Sequence, residues 1–321
     1  MVDYDALWRE FPGTLPEFEA AFPDDDACRE FLIEMRWGGV PECPRCGHGI
    51  VWWLSNGRFE CAECGHQTSV TAGTPLHGTR KPLKLWFRAI WEMLARKNGI
   101  SAKDLQRLMG FGSYRTAWLW LHKLRRCLVA PDRRPLEGEI QLDEGFLGGV
   151  TNRPGRPRGE DKELVIVAVE RGGRVRLEYA PGLTGETVRE FVGRNVAVKT
   201  TVTTDGYRSY SAKSLSPQTH DRQIQKKTKK RAGGWLASDP VLGCHLVLSL
   251  LKRWWIGTHH GAIREKYCQA YLDEFEFRHN RRNTKGSGRL MARALQNLVQ
   301  LPHVTEVQIR QSVPFPRFAL T

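Results

Sequence analysis

The spacing of apolar residues divides the chain into four stretches. Residues 1 to about 80 hold two helix-like pieces and a cysteine-rich module. Residues 81–130 carry the period of amphipathic helices, residues 137–210 read as strands with one helix, and residues 240–321 return to a helical period. In the third stretch "EIQLDEGFLGG" is a β-rich run closed by Gly-Gly. "LVIVAVE" and "RVRLEYA" are two more runs, joined by "RGGR", a hairpin signal. "TGETVREFVGRNV", Thr184 to Val196, is amphipathic helix, and "TTVTTDGY" is a β-branched strand stopped by Asp-Gly. Three strands, a helix, a strand and later helices predict an α/β fold, one mixed sheet flanked by helices. The domain boundaries follow: 1–80 for the N-terminal helices and cysteine module, 81–130 for a helix pair, 137–285 for the sheet domain, and 286–321 for a C-terminal tail with a helix.

The helix pair lies in "ISAKDLQRLMGFGSYRTAWLWLHKLRRCL", whose halves are separated by Gly110-Phe111-Gly112. Ser101 and Ser113 are placed as N-caps, and Leu105, Leu108, Ala117, Leu121, Leu124 and Leu128 form a shared apolar side. On that register Tyr114, Arg115, His122, Lys123, Arg125 and Arg126 face away from it. A short-turn pair with a basic second helix is the arrangement that reads a DNA major groove, so Arg115, His122, Lys123 and Arg126 are candidate DNA contacts. Helical hairpins with solvated cations share the same pattern.

The cysteines narrow the first stretch. Cys43-Pro-Arg-Cys46-Gly-His48 is followed by Cys61-Ala-Glu-Cys64-Gly-His66, with fourteen residues between Cys46 and Cys61. Each Cys-x-x-Cys precedes a Gly able to take the left-handed geometry that aims backbone N–H groups at the sulfurs. Four thiolates at this spacing suit tetrahedral zinc, and "HGIVWWLSNGRFE" between them can form the hairpin of a ribbon. The ligand set is closed, so the zinc is expected to be structural, with His48 and His66 hydrogen-bonded near the site or facing solvent. Cys28, Cys127, Cys244 and Cys268 have no partner in sequence and read as buried thiols.

Charge then favours a polyanion partner. Forty-nine Lys and Arg against thirty-five Asp and Glu leave +14. No apolar run reaches the roughly 20 residues of a membrane span, and the acidic start lacks an apolar signal segment, so a cytoplasmic protein, nucleoid-associated when bound to DNA, is expected. Two segments, Gly148 to Glu163 and Arg222 to Gly234, have no periodicity and are expected to stay mobile until a partner orders them. In the second, Lys226 to Arg231 offers at most sequence-independent backbone contact. Near the C-terminal end, Lys252, Arg253, Arg278, Arg281 and Arg282 lie close to Trp254 and Trp255, a spacing that fits phosphate contacts with base or sugar packing as well as a solvated face.

Two acids, Asp143 in "IQLDEGF" and Asp205 in "TVTTDGY", are read at strand ends. Asp weakens a strand, so each needs a reason. A turn-starting role explains Asp205 before Gly206 and explains Asp143 poorly. Brought together by adjacent strands, the two carboxylates could share divalent cations, which activate a water or hydroxyl and stabilise the leaving oxygen of a phosphodiester.

"CPRCG…CAECG", "TPLHGTRKPLKLWFRAIW", "QLDEGFLGG", "TTDGYRSY" and "LKRWWIGTHHG…AYLDEFEFRHNRR", in that order from about residue 20 to about 285, resemble the DDE-type insertion-sequence transposases of the IS fifteen-ninety-five, or ISXO-two-like, family. The resemblance implies a zinc ribbon, a helix-turn-helix DNA-binding segment and a ribonuclease-H-like catalytic domain that cuts and joins transposon ends with magnesium or manganese. It matches Asp143 and Asp205 to the first two metal-binding acids, and Lys252 to a cation seven residues after the third catalytic position. Counting back gives His245 in "VLGCHLVLSLLKR", where many relatives have Glu. Imidazole suits manganese better than magnesium, and could instead carry a proton or orient the scissile phosphate. Asp239, Glu265 and Glu274 are rival third acids, Glu274 also fitting a packing role.

The expected catalytic set is therefore Asp143, Asp205, His245 and Lys252, with Arg253 as a further DNA contact and Cys43, Cys46, Cys61 and Cys64 on zinc. The expected partners are double-stranded DNA, as element ends and target, and further copies of the chain, from the family's synapsis of two ends. A decayed transposase acting only as a DNA-binding protein, or a ribonuclease-H-like nuclease, would share much of this pattern.

Overall fold

The computed structural model describes residues 2, 4, 11–148, 162–224, 239–261 and 263–311. Most of the two aperiodic segments, and the whole of Lys226 to Arg231, lie outside them. Two compact units are present, Met1–Pro131 with Asn283–Pro316, and Asp132–Arg282. Among the described residues no helix is long and apolar enough to cross a membrane.

In the first unit α1 (Leu15–Ala21) and α2 (Asp25–Trp37) lead into a three-stranded antiparallel ribbon, β1 (Val51–Trp53), β2 (Arg58–Cys61) and β3 (Gln67–Ser69). Thr14 and Asp24 cap the two helices by accepting the N–H of Glu17 and Ala27, each worth about 1 kcal/mol. Next come α3 (Leu83–Ala95), α4 (Ala102–Leu108) and α5 (Tyr114–Arg126), the last two capped by Ser101 and Ser113 as their sequence predicts. Phe18, Phe22 and Phe31 meet Phe87 and Trp91 of α3, and Trp86 stacks on Trp120 of α5 at 3.5 Å between ring centroids.

The second unit opens with β4 (Glu139–Leu147), β5 (Glu163–Glu170) and β6 (Val175–Ala180), followed by α6 (Gly185–Asn195), β7 (Thr201–Thr204), α7 (Ala212–Leu215) and β8 (Thr219–Arg222). Helix α8 (Leu242–His259), a short 3₁₀ turn (Glu265–Tyr267) and α9 (Cys268–Asn280) complete it. The sheet runs β6-β5-β4-β7-β8, antiparallel from β6 to β4 and parallel from β4 to β8, the mixed sheet that the strand runs predict. β8 and α7 gave no recognisable signal, since "THDR" is polar and α7 spans four residues.

The run "LVIVAV" has no alternation because both faces of β5 are covered. Val165, Val167 and Val169 join Leu248, Leu251, Trp255 and Phe275 on one face. Leu164, Ile166 and Ala168 join Val188, Phe191 and Val192 of α6 on the other. Outer strand β6 is sealed by side chains of α9. Asn280 accepts the N–H of Val175 at 2.7 Å and donates to its carbonyl at 3.1 Å. Glu276 accepts from Leu177 N–H at 3.2 Å, while Gln269 donates to the Leu177 carbonyl and accepts from Tyr179 N–H.

The C-terminal residues, read from sequence as a tail with a helix, group with the first unit as α10 (Ser287–Gln300) and α11 (Glu306–Gln311). Asn297 of α10 donates to the Cys127 carbonyl at 2.9 Å, and Glu306 of α11 pairs with Arg115.

Candidate active site and metal centre

The cysteine module is a knuckle built twice. Cys43 N–H donates to the His48 carbonyl and Gly47 N–H to the Cys43 carbonyl; Cys61, His66 and Gly65 repeat both bonds. Gly47 and Gly65 take φ of 75° and 65°, which a side chain would strain. The turns bring Cys43 Sγ to 3.6 Å from Cys64 Sγ and Cys46 Sγ to 3.5 Å from Cys61 Sγ. Among the described residues these cysteines are the only set of three or more His, Cys, Asp or Glu whose ligand atoms all lie within 4.8 Å of one another. Four converging sulfurs fit tetrahedral zinc and leave no open position for substrate. His48 and His66 serve the knuckles through their carbonyls, and Cys28, Cys127, Cys244 and Cys268 are buried.

The second constellation is assembled from distant segments. Asp143 lies in mid-strand, opposite Val167 of β5, rather than at a strand end. Its neighbour β7 is what ends: the parallel register pairs Gln141 with Thr203 and stops. Two residues further along each strand stand Asp143, 5 % exposed, and Asp205, exposed. Helix α8 enters beside them, its start set by Gly243 N–H donating to the Gln141 side chain at 2.7 Å, where a Cβ would meet that oxygen at 2.6 Å. This places His245 with Nε2 3.1 Å from Asp143 Oδ2 and Nδ1 2.5 Å from Asp239 Oδ2. Asp239 is itself fixed by the N–H of Val241 at 3.0 Å.

Burial, then the charge of Glu144, raises Asp143 to about 7; Asp205 adds to the rise, while His245 and a backbone hydrogen bond oppose it. Glu144, on the opposite face of β4, is also raised, by burial and by Asp205, against the hydrogen bond from Tyr210. The charges of Glu144 and Asp205 are thus both felt at Asp143. Two carboxylates just beyond the end of the β4–β7 ladder, Asp143 buried and Asp205 exposed, offer the oxygen chemistry that magnesium or manganese takes.

Of the rival third acids, the structure brings only Asp239 to His245. Glu274 is 1 % exposed and bound to Arg278 at 3.1 Å, a packing element. Glu265 accepts from the Tyr179 hydroxyl at 2.5 Å, beside the outer strand β6. Lys252, two turns after His245, and Arg253 are exposed.

The expected facings of His122 and Arg125, of Leu108, and of Trp254 and Trp255 need correction. His122 and Arg125 do not face away from the apolar side of α5: they are 3 % and 1 % exposed, with the His122 ring against Trp118. Asn297 of α10 binds the Cys127 carbonyl just after α5 and Glu306 of α11 pairs with Arg115, contacts that nothing local in the sequence announces. Leu108 is 45 % exposed, because α4 ends there and the chain turns away. Trp254 and Trp255 are core residues, 8 % and 1 % exposed, packed on Phe275 and Tyr271, and therefore cannot hold bases or sugars. Of the neighbouring cations, Lys252, Arg253 and Arg282 are exposed, Arg282 donating to the Gly173 carbonyl, while Arg281 lies over the Phe277 ring and Arg278 is bound to Glu274. Arg115 is exposed, and Lys123 and Arg126 are half-buried.

A ribbon with a closed sulfur site, joined in one chain to a mixed α/β domain with strand-borne carboxylates, defines a metal-binding class of nucleic-acid protein. Residues 135–280 match the ISXO2-like transposase domain and residues 23–67 the transposase zinc-ribbon domain of the same family. The chain belongs to the IS1595 family of DDE-type transposases, and so to DNA-binding, DNA-cutting enzymes in general. No curated protein matches it.

Proposed function

We propose that this transposase cuts and joins insertion-sequence ends by phosphodiester hydrolysis followed by strand transfer, with Asp143 and Asp205 holding magnesium or manganese and His245 filling the third catalytic position. The observation that supports this most is the Asp239–His245–Asp143 chain, in which an imidazole bridges a buried helix-start carboxylate and the buried strand carboxylate.

Bound there, a divalent cation supplies polarisation of the scissile phosphate and a more acidic attacking water. Asp143 and Asp205 must be ionised to hold it. Asp239 accepts the Nδ1 proton of His245 and fixes the tautomer, so that Nε2 faces the reacting groups. Nε2 lies 3.1 Å from Asp143 Oδ2, within hydrogen-bond reach. With Asp143 engaged in holding the cation, Nε2 would serve as the base that accepts a proton from the attacking water, releases it to solvent, and in the second stage accepts that of the 3′ hydroxyl. Lys252 lies on the same face of α8 and would contact the flanking phosphate as a point charge. Arg115, Lys123, Arg126 and Arg253 are proposed to contact the DNA backbone; His122, buried, is not.

Strand transfer of a labelled element end in Mg²⁺ and in Mn²⁺ tests the reading. Product is expected with the natural chain and lost in Asp143→Asn; product unchanged in Asp143→Asn overturns the assignment.

A further inference from the structure

The parallel ladder that aligns β4 with β7 ends at Gln141 and Thr203, two residues short of both aspartates. Backbone pairing therefore leaves the separation of Asp143 and Asp205 unset. Beyond the ladder, Asp205 opens a turn in which its own Oδ1 accepts the N–H of Tyr207 at 3.0 Å, and Tyr210 N–H donates to the Tyr207 carbonyl at 2.9 Å. Arg222 holds the Gly206 carbonyl and Ser209 the Leu183 carbonyl, neither of them on β4. Tyr210 reaches back: its ring is 2 % exposed, and its hydroxyl donates to Glu144 Oε2 at 2.5 Å. Glu144 is the residue after Asp143 on β4 and points to the opposite face.

Among the described residues the Glu144 carboxylate accepts its side-chain hydrogen bond from the Tyr210 hydroxyl, at 2.5 Å from Oε2. We propose that Glu144 and Tyr210 form a clamp that sets the distance between Asp143 and Asp205, and so act as positioning residues for the divalent cation. The clamp rests on the reading of those aspartates as metal ligands. Neither residue touches the reacting atoms: Glu144 ties the turn carrying Asp205 to the strand carrying Asp143, as outer hydrogen bonds orient ligands in metal sites generally.

The experiment is Mn²⁺ binding to zinc-loaded, full-length protein, followed by the electron paramagnetic resonance of free Mn²⁺, with thermal melting alongside. Tyr210→Phe keeps the ring in the core and removes only the hydroxyl. Its Mn²⁺ affinity is expected to fall about 10-fold or more, with strand transfer recovering as Mn²⁺ is raised, while Asp143→Asn is not recovered. Glu144→Gln, which retains an acceptor for the hydroxyl, is expected to regain most of the affinity that Glu144→Ala loses, at equal melting temperature. Natural Mn²⁺ affinity in Tyr210→Phe overturns the clamp and leaves the proposed function standing. Loss in Glu144→Gln as deep as in Asp143→Asn also overturns it, by making Glu144 a ligand. Unchanged affinity in Asp143→Asn overturns the function reading, and the clamp with it.

Discussion

The zinc ribbon and the carboxylate site proposed to hold a divalent cation are built in opposite ways. The ribbon draws its four ligands from Cys43 to Cys64, each pair held by the backbone of its own turn. The carboxylate site draws on β4, the end of β7 and the start of α8, with about a hundred residues between Asp143 and His245. The first is a local object that creates order around itself, whereas the second is a by-product of a completed core. Metal should therefore matter to folding in one place and to chemistry in the other.

Zinc removal should have the largest effect. Structural zinc is worth on the order of 10 kcal/mol, so a strong chelator or Cys43→Ser should unfold the ribbon, seen as rapid proteolysis between Gly38 and Thr71, with the α/β domain still folded. Melting of both units together would break the contrast. Next comes Asp143→Asn, expected to cost strand transfer more than about a hundredfold, beyond what an outer hydrogen-bond partner is worth, without lowering zinc content. His245→Ala and Asp239→Asn should each lose about 10- to 100-fold and change the Mg²⁺ to Mn²⁺ activity ratio in the same direction; effects on different steps would separate the pair.

Proton linkage sharpens the same contrast. Asp143 is raised from 3.8 to about 7, and the cation needs its ionised form. Mn²⁺ affinity should therefore fall up to about tenfold per unit as pH drops below 7. In the absence of the cation the sign for stability is the reverse. The native state holds this proton more tightly than the unfolded chain, so the α/β domain should lose stability as pH rises from about 4 to 7. The smallest effect concerns α5: Lys123→Ala should reduce the salt slope of DNA binding by about one, whereas His122→Ala should lower the melting temperature and leave that slope unchanged.

The ribbon was legible because its information is contiguous: thiol spacing, knuckle glycines and hairpin length all lie within one short window. The strands β4, β5, β6 and β7 were legible through period and turn residues. Asp143 was recognisable as out of place among apolar neighbours, though not that it sits in mid-strand, since strand ends depend on which neighbour stops first. Asp239 could be named only as one rival acid, because its meeting with His245 depends on how α8 docks against Gln141. Glu144 carried no separate signal beside Asp143, as its partner is a tyrosine 66 positions away. His122, Arg125 and Trp255 were misread for one reason: an amphipathic pattern seen alone cannot show a second packed face.

One further property follows from the way α9 seals β6. Five side-chain hydrogen bonds from Gln269, Glu276 and Asn280 occupy Val175, Leu177 and Tyr179 along the outer margin of the sheet. A strand from another molecule would have to strip them before it could add there. Strand exchange and fibre growth through this margin are thus disfavoured, and sliding α9 by one turn would break all five bonds together.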